Sequence, residues 1–482
     1  MHWIDLTVFI VYIIGVLGIG FLFLHLNKTA DDYYVGGRKM NSFHIGLSVV
    51  ATDVGGGFSI GLGGLGFVMG LSGSWMLFTG LIGAWLASAF LIPRVYHIAR
   101  RKNMYTFPQL LEHFFDFRVA IVAALISGIG YIGFTSSQIL AGAKLASATF
   151  DGLGLQEALI VMGTIAVIYT VLGGLKAVIY TDTVQWIILM GGLIFIGIPL
   201  GYHAVGGMET IRQTLQPEFL TLTNVRWQTL IKWLFTILPI WFVGMTLYQR
   251  IYASRSEKTA RRAWIIAGFF EYPLMAFMGV TLGLFAKVAA QSGLFIEWGY
   301  DAGVTTDEEM GLPILLRNIL PVGLMGLMMS AYFSAIMSTA DSCMMAASGN
   351  LQTDLLNKLF KRKRSRKEIL RTSQGLTLII GVVALLLALK MTNVLDLMLY
   401  SYAFMVSGLF VPVLVALYGK NRNSTAAIIA MLGGGATTVL LSEFAGPLPL
   451  ELDANVFGIG ASAILYFTFA SIFNQKQSIK NL

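Results

Sequence analysis

The chain has 482 residues, of which 56% are hydrophobic and only 12% are charged. Soluble domains carry about 25% charged residues, so this composition predicts a membrane protein with several spanning helices instead of a soluble one. The formal net charge of +8 could indicate nucleic-acid binding, but the placement of the basic residues along the chain argues against it. The single cysteine, Cys343, excludes an intramolecular disulfide.

Apolar runs separated by polar loops predict thirteen transmembrane helices, because a spanning helix needs about 20 apolar residues. The first run, residues 4–24, lacks a basic stretch before it and a small-residue cleavage site after it. It is therefore interpreted as a retained helix, helix 0, and not as a signal peptide. Helices 1 to 12 are predicted at residues 44–70, 75–99, 119–149, 156–174, 182–203, 228–250, 263–290, 312–352, 373–390, 395–418, 425–443 and 455–473.

The connecting loops alternate in charge. Basic residues follow helices 2, 6, 8 and 10, with the densest cluster at residues 361–367, whereas acidic residues follow helices 7 and 11. Positively charged loops face the cytoplasm, so the pattern predicts an N-terminus outside and a C-terminus in the cytoplasm. The basic cluster is then a topology anchor, and no nucleic-acid partner is expected.

Two predicted helices carry residues that interrupt a helix near the middle of the membrane. Helix 1 holds Asp53 and three consecutive glycines from Gly55 to Gly57, and helix 6 holds Pro239 and Gly244. Unwound backbone at this depth survives only where protein buries it or where it lines a watery cavity. The alternative is that the glycines only allow tight helix packing.

Matched interruptions in the leading helices of two halves are typical of transporters built as inverted repeats. The fold class predicted is therefore an all-α membrane protein with five-plus-five inverted repeats and broken helices 1 and 6. A single transporter domain is expected over residues 1–482. Its parts are a leading helix at 1–25, a first repeat at 44–203, a second, inverted repeat at 228–418 and two peripheral helices at 425–473.

Helix 8 carries hydroxyl groups within apolar sequence. At 100° per residue, Ala335, Ser338, Thr339 and Ser342 share one face, and Asp341 lies beside them. Hydroxyl and carbonyl oxygens suit a hard cation. The stripe, together with carbonyls released at the helix 1 break, predicts a site for a monovalent cation, Na⁺. The alternative is that the hydroxyls serve helix packing or bond to carbonyls of the preceding turn.

Asp182 is a third acidic candidate, at the predicted start of helix 5. It is interpreted either as an N-terminal helix cap or as a carboxylate at the inner end of an ion path. Its spacing alone favours the cap.

Four segments resemble the sodium/solute symporter family, which includes sodium-coupled transporters of sugars, proline, pantothenate, sialic acid, iodide and choline. These segments are Ala51-Thr52-Asp53-Val54-Gly55-Gly56-Gly57, Gly173-Gly174 with Tyr180-Thr181-Asp182-Thr183-Val184-Gln185, Gln249-Arg250, and Ser334-Ala335-Ile336-Met337-Ser338-Thr339-Ala340-Asp341-Ser342. The similarity covers nearly the whole chain. It implies the inverted-repeat fold of the bacterial leucine transporter.

The resemblance also implies where sodium would bind. The family's common site consists of three backbone carbonyls and two hydroxyls, which here belong to Ala51, Val54, Ala335, Ser338 and Thr339. Some members hold a second sodium ion nearer the cytoplasm. Its counterpart ligands in this chain would be Asp182, Ser338, Ser342 and Asp341.

In this architecture the solute lies beside both breaks, between helices 1, 2, 3, 6, 8 and 10. The candidates for contact are Asp53, Phe58, Phe78, Phe134, Gln138, Trp241, Met245 and Tyr402, each of which could instead be a packing residue. Asp53 would attract a cationic amine and repel an uncompensated carboxylate. A small nitrogen-containing zwitterion such as an amino acid is therefore expected, with a monocarboxylate, a sugar or a quaternary amine as alternatives.

The expected function is sodium-coupled import of this solute across a plasma membrane, in the style of a bacterial inner membrane, for which a monomer suffices. No enzyme activity is expected, because the six histidines lie at helix ends or in loops and no His-Glu-x-x-His zinc motif occurs. A cation channel is the nearer alternative, since polar helix faces also line pores.

Overall fold

A computed structural model of the protein describes residues 2–26, 35–53, 55–150, 152–172, 175–301, 307–360 and 366–480. Over these ranges the chain folds into helices joined by short connections, and no β-strand occurs in them. Helix numbers are kept from the predicted spans so that each observed helix can be compared with its prediction.

The first half of the chain contains helices 0 to 5 and one short helix. Helix 0 spans Trp3–Leu26, helix 1 consists of Ser42–Asp53 and Gly55–Met69, and helix 2 runs through Trp75–Leu86, Ala87–Leu91 and Ile92–Lys102. After the short helix Phe107–Phe114 come helix 3 at Phe117–Thr149, helix 4 at Leu155–Leu172 and helix 5 at Leu175–Gly192, Leu193–Gly197 and Ile198–Ala204.

The second half begins after a short helix at Gly207–Thr214. Helix 6 consists of Trp227–Val243 and Met245–Ala253, and helix 7 runs through Glu257–Phe269, Phe270–Met275 and Ala276–Gln291. Helix 8 spans Leu324–Asn350 and continues through Leu351–Leu356 and Asn357–Phe360. Helices 9 to 12 are Arg366–Ala388, Val394–Tyr418, Ser424–Phe444 and Ala454–Lys480.

Fewer spanning helices are counted among the described residues than the thirteen predicted. Among the described residues, eight helices are long and apolar enough to cross a membrane. A ninth is obtained when the two pieces of helix 6, which are bent by 43° at Gly244, count as one span. These helices establish a multi-pass membrane protein, and the count of thirteen stays a prediction.

The prediction of one helix over residues 312–352 is wrong. The structure contains two helices there, Glu308–Ile319, which we call the lid helix, and Leu324–Asn350. Pro321 lacks the backbone N–H that helix continuation requires, and Gly323 adopts a φ of +87°, so the chain turns between them.

The interpretation of Asp182 as a helix cap is also wrong. Helix 5 begins at Leu175, two turns before Asp182, and the carboxylate is fully buried inside the bundle. The helix start was missed because its first turns contain the polar residues Lys176, Thr181 and Thr183, which resemble a loop.

Helix 8 lies at the centre of the molecule. Every side chain from Met328 to Asn350 is buried, as expected for a helix surrounded by others. It packs against helices 0, 3 and 5 and against both pieces of helix 1. The hydroxyl stripe of helix 8 therefore faces the interior and not lipid.

The segment before helix 1 pairs with the end of helix 6. The Met40 N–H donates to the carbonyl of Ala253 at 3.1 Å, and the Arg255 N–H donates to the carbonyl of Met40 at 3.2 Å. This parallel pairing joins the start of helix 1 to the end of helix 6 on the face that carries the basic loops.

Candidate ion and solute site

Helix 1 contacts the hydroxyl stripe of helix 8 next to Gly55. The Thr339 hydroxyl is within hydrogen-bonding distance of two backbone carbonyls, that of Ala51 at 2.9 Å and that of Ala335 at 3.1 Å. All three residues are buried. Three of the five predicted ligands of the first sodium site are thus together, and a fourth, Val54, lies outside the described residues.

Gly55 explains how the two backbones approach so closely. It adopts a φ of +56°, a conformation that side chains disfavour. A Cβ at this position would lie 2.8 Å from Thr339 Oγ1 and 3.2 Å from Gln138 Oε1. Only glycine fits this contact between helices 1, 3 and 8.

The fifth predicted ligand, Ser338, contacts a different partner. Its hydroxyl donates to Asp182 Oδ1, and the Ser48 hydroxyl donates to Asp182 Oδ2 at 2.6 Å. Asp182 therefore joins helix 8 to the first piece of helix 1, one turn of helix away from the carbonyl cluster.

A buried arginine completes this cluster, and the sequence interpretation gave it no role. Arg250 lies in the second piece of helix 6 and is fully buried, with its Nη2 atom 3.9 Å from Asp182 Oδ2. The same nitrogen donates to the hydroxyls of Thr52 at 2.6 Å and Ser342 at 2.9 Å. The sequence signal was present, because a charged residue within an apolar helix marks a functional site by default.

The predicted ligands of a second sodium ion are only partly together. Asp182 and Ser342 lie next to Arg250, and Ser338 bonds Asp182. Asp341 instead faces helix 4 and accepts a hydrogen bond from the Thr170 hydroxyl. Arg250 already supplies a positive charge next to Asp182. An arginine paired with a carboxylate neutralises its negative charge, as a bound cation would.

Three predicted solute contacts lie at or near the break. The Gln138 amide oxygen approaches Gly55, as described above. On the same helix, Phe134 packs edge-to-face on Tyr402 of helix 10 with ring centroids 4.9 Å apart. The side chains of two further candidates, Asp53 and Phe58, lie outside the described residues.

The remaining three candidates occupy other interfaces. Phe78 packs between Trp75 and Tyr272, with centroid distances of 5.1 Å and 5.2 Å. Trp241 contacts Gly83 of helix 2 and lies 6.4 Å from the ring of Trp264. Met245 accepts the Phe107 N–H at its sulfur at 3.1 Å. In this arrangement none of these three contacts the Gly55–Thr339 junction.

The lid helix closes over the bundle on the face opposite the basic loops. Lys144 of helix 3 is buried and bonds Asp307 at 3.0 Å and Glu309 at 2.9 Å. The Glu309 carboxylate also accepts the N–H groups of Val394 and Leu395 at 2.8 Å and 2.9 Å. One carboxylate thus joins the lid helix to helices 3 and 10. Sequence reasoning placed Glu309 in an outer loop but did not identify these partners.

Comparison with known proteins gives consistent matches along the chain. The family model for the sodium:solute symporter family matches residues 33–434. The high-affinity proline transporter of Bacillus subtilis is 28% identical over 478 residues, which cover 95% of this chain and 96% of that protein. The sodium/proline symporter of Escherichia coli is 27% identical and covers 96% of this chain and 92% of its own length.

A solved structure shows the same fold. It is the substrate-bound, outward-open state of a Na⁺-coupled sialic acid symporter, which superposes with a TM-score of 0.80. The match covers 98% of each chain at 21% sequence identity. At that identity the likeness concerns the fold.

Proposed function

Since the chain belongs to the sodium:solute symporter family and is therefore a sodium-coupled transporter and not an enzyme, we propose that it imports a small zwitterionic solute by alternating access. The proposed cycle begins with sodium binding between helices 1 and 8. Sodium and solute then raise each other's affinity, because both stabilise the same arrangement of the two helices.

The contact of Thr339 with the carbonyls of Ala51 and Ala335 carries this proposal. Carbonyl and hydroxyl oxygens are the ligands that a hard monovalent cation requires. We propose that Na⁺ takes the position between these oxygens, with the carbonyl of Val54 and the hydroxyl of Ser338 as its other ligands. Ser338 would turn from Asp182 to the ion, which links ion binding to the Asp182–Arg250 pair.

A second sodium ion at Asp182, Ser338, Asp341 and Ser342 would have to compete with Arg250. Arg250 and a sodium ion on the same side of the Asp182 carboxylate would repel each other strongly in a medium of low dielectric constant. We therefore propose one sodium ion per cycle, with Arg250 as a permanent counter-ion of Asp182.

The proposed solute is an amino acid or a related zwitterion. The two relatives described above are proline transporters. We propose that the amine lies near Asp53 and that Phe58, Phe134, Gln138 and Tyr402 surround the rest of the solute. Phe78, Trp241 and Met245 would join this set only in a state in which helices 2, 6 and 10 have moved. A monocarboxylate, a sugar or a quaternary amine is the alternative.

The finer architecture proposed is thirteen spans with an inverted repeat relating residues 44–203 to residues 228–418. The pairs of helix pieces at Gly55 and Gly244 support it, since each leads one of the two halves. The basic loops support an N-terminus outside and a C-terminus in the cytoplasm. The two bacterial relatives support a location in a bacterial inner membrane.

Uptake of a panel of labelled solutes into vesicles that contain the purified protein tests the function. The panel holds proline, other amino acids, a betaine, a monocarboxylate, a hexose and sialic acid. An inward sodium gradient is expected to drive uptake of a zwitterion, and the same gradient of potassium is not. Ion current far above the rate of solute uptake would contradict a carrier and support a channel.

A substitution in the proposed ion site tests sodium binding independently of which solute is transported. Thr339→Ala removes one oxygen ligand and is expected to raise the sodium concentration for half-maximal uptake by about tenfold, the equivalent of about 1.4 kcal/mol. Thr339→Ser keeps the oxygen and should stay near wild type. The matched control is Thr377→Ala, because Thr377 bonds only to the Ser373 carbonyl in helix 9. An unchanged sodium dependence in Thr339→Ala would contradict the site.

A further inference from the structure

A basic cavity opens between the ends of helices 2 and 7, on the face that carries the basic loops. Its volume is about 770 Å³. Its walls contain four cationic side chains, those of Arg255, Lys258, Arg261 and Arg262, and one carboxylate, that of Glu257. The cavity therefore keeps a positive excess after Glu257 is counted.

The one carboxylate is already partnered. Glu257 bonds His97 at 2.8 Å and lies 3.8 Å from Arg261. Lys258 and Arg262 are exposed. Two cations at the cavity thus stay available to an incoming anion.

Apolar side chains continue from this cavity towards the middle of the membrane. Ile265 borders the cavity and is 50% exposed, and Phe269, one turn further along helix 7, is 56% exposed. Trp85 of helix 2 is 48% exposed, and its indole N–H donates to the Ile265 carbonyl at 3.4 Å. The two helices therefore present an apolar surface directly above a basic cavity.

An apolar surface above a basic cavity matches an amphiphile with an anionic head group. The positive-inside rule explains why the loop is basic, but it does not require a cavity with lipid-facing aromatic and aliphatic side chains above it. Basic pockets between transmembrane helices on the cytoplasmic side are suited to lipid head groups that carry phosphate. We propose that this cavity binds an anionic phospholipid of the cytoplasmic leaflet, with its phosphate at Arg255, Lys258 and Arg262 and its acyl chains along Ile265, Phe269 and Trp85.

The position of the site connects the lipid to the closed inner end of the transporter. Arg255 follows helix 6 directly, and its N–H pairs with the Met40 carbonyl ahead of helix 1. Tyr96, which lines the cavity, donates its hydroxyl to the Ser254 carbonyl at 3.3 Å. A head group held by the Arg255 side chain is therefore bound by a residue whose own N–H takes part in the backbone pairing of helices 1 and 6.

Mass spectrometry of the intact purified protein, titrated with phosphatidylglycerol or phosphatidylcholine, tests the proposal. Wild type is expected to bind phosphatidylglycerol more tightly. The double variant Lys258→Gln with Arg262→Gln should weaken that binding by about thirtyfold, because each cation near a membrane surface contributes about a fivefold share. The charge-preserving double variant Lys258→Arg with Arg262→Lys should bind as wild type does.

Two controls make the outcome specific. Arg371→Gln with Lys420→Gln removes the same charge from exposed positions near the start of helix 9 and after helix 10 and should leave the affinity unchanged. Millimolar inorganic phosphate should not displace the bound lipid. Equal weakening in both glutamine double variants, equal binding of the two lipids, or complete displacement by inorganic phosphate would overturn the proposal.

Discussion

Asp182 and Arg250 are both fully buried, and the Ser48 hydroxyl contacts both of them. Burying two charges costs several kcal/mol per ion, and their attraction offsets that cost only when hydrogen bonds satisfy the remaining donors and acceptors. Here Ser338, Ser342 and Thr52 supply those bonds. The pair therefore holds helices 1, 5, 6 and 8 together at the point where ion binding is proposed.

A double-mutant cycle measures this coupling. Arg250→Gln alone leaves the Asp182 carboxylate buried without a counter-ion and is expected to destabilise the protein by about 3 kcal/mol. Adding Asp182→Asn should recover about 1 kcal/mol or more of that loss, because no charge then stays buried alone. Thermal unfolding in detergent reports both quantities.

The control cycle combines Asp182→Asn with Arg317→Gln. Arg317 bonds the Ala148 carbonyl at the other end of the molecule, so its effect should add to that of Asp182→Asn within about 0.5 kcal/mol. Additivity in the Arg250 cycle as well would show that the buried pair is not coupled.

At the scale of helices, the close contact of helix 1 with helix 8 at Gly55 is the feature on which the proposed ion site depends. Gly55→Ala would force a Cβ to within 2.8 Å of Thr339 Oγ1 at a positive φ. We expect a loss of sodium-dependent uptake, with the break pushed away from helix 8. Gly191→Ala is the matched control, since nothing lies within 4 Å of a Cβ at that position in helix 5. Sodium-dependent uptake by Gly55→Ala at the wild-type level would contradict the close contact.

The lid helix gives a prediction with a defined pH dependence. Burial raises the pKa of Glu309 above its ordinary value of 4.5, and the Lys144 ammonium offsets only part of that shift. An open lid would return Glu309 to water and to its ordinary pKa. Protonation of Glu309 then stabilises the closed lid relative to the open one. This stabilisation is fully present below pH 4.5 and is lost as the pH rises through the raised pKa.

Labelling of a cysteine on the buried face of the lid helix measures this closure. In a Cys343→Ser background, Leu312→Cys places a thiol against Gly63 of helix 1, where it is 1% exposed. Its reaction with a membrane-impermeant maleimide should slow as the outer pH falls, relative to Glu297→Cys, which is exposed at any pH. Glu309→Gln should abolish the relative change. A relative change that survives in Glu309→Gln would assign the pH dependence to another group.

Helix positions followed from apolar runs because span length and hydrophobicity are local properties of the sequence. The helix 8 boundary did not, because the apolar run continues through Leu320-Pro321-Val322-Gly323 and hides the turn. For the site, spacing on one helix face predicted Thr339 and Ser338. It could not place Arg250, whose partners come from helices 1, 5 and 8 and meet only in the folded bundle.

At the scale of the whole molecule, two closures lie at opposite ends. The lid helix joins helices 3 and 10 through Glu309, and the pairing of Met40 with Ala253 and Arg255 joins helices 1 and 6. Alternating access requires that one closure opens while the other holds. The proposed ion site lies between them, so the number of ions bound there would set how far the cycle can concentrate the solute.

The ratio of inner to outer solute concentration at equilibrium reports the number of sodium ions bound per cycle. A tenfold sodium gradient supplies about 1.4 kcal/mol and one charge crossing 100 mV about 2.3 kcal/mol, so one sodium ion supports accumulation of several hundredfold. Without a membrane potential the same gradient supports about tenfold with one ion and about a hundredfold with two. We expect the one-ion values in vesicles, because Arg250 already neutralises Asp182, the carboxylate that accepts the Ser338 hydroxyl. A hundredfold ratio at zero potential would mean that a second cation enters beside Asp182 while Arg250 moves away.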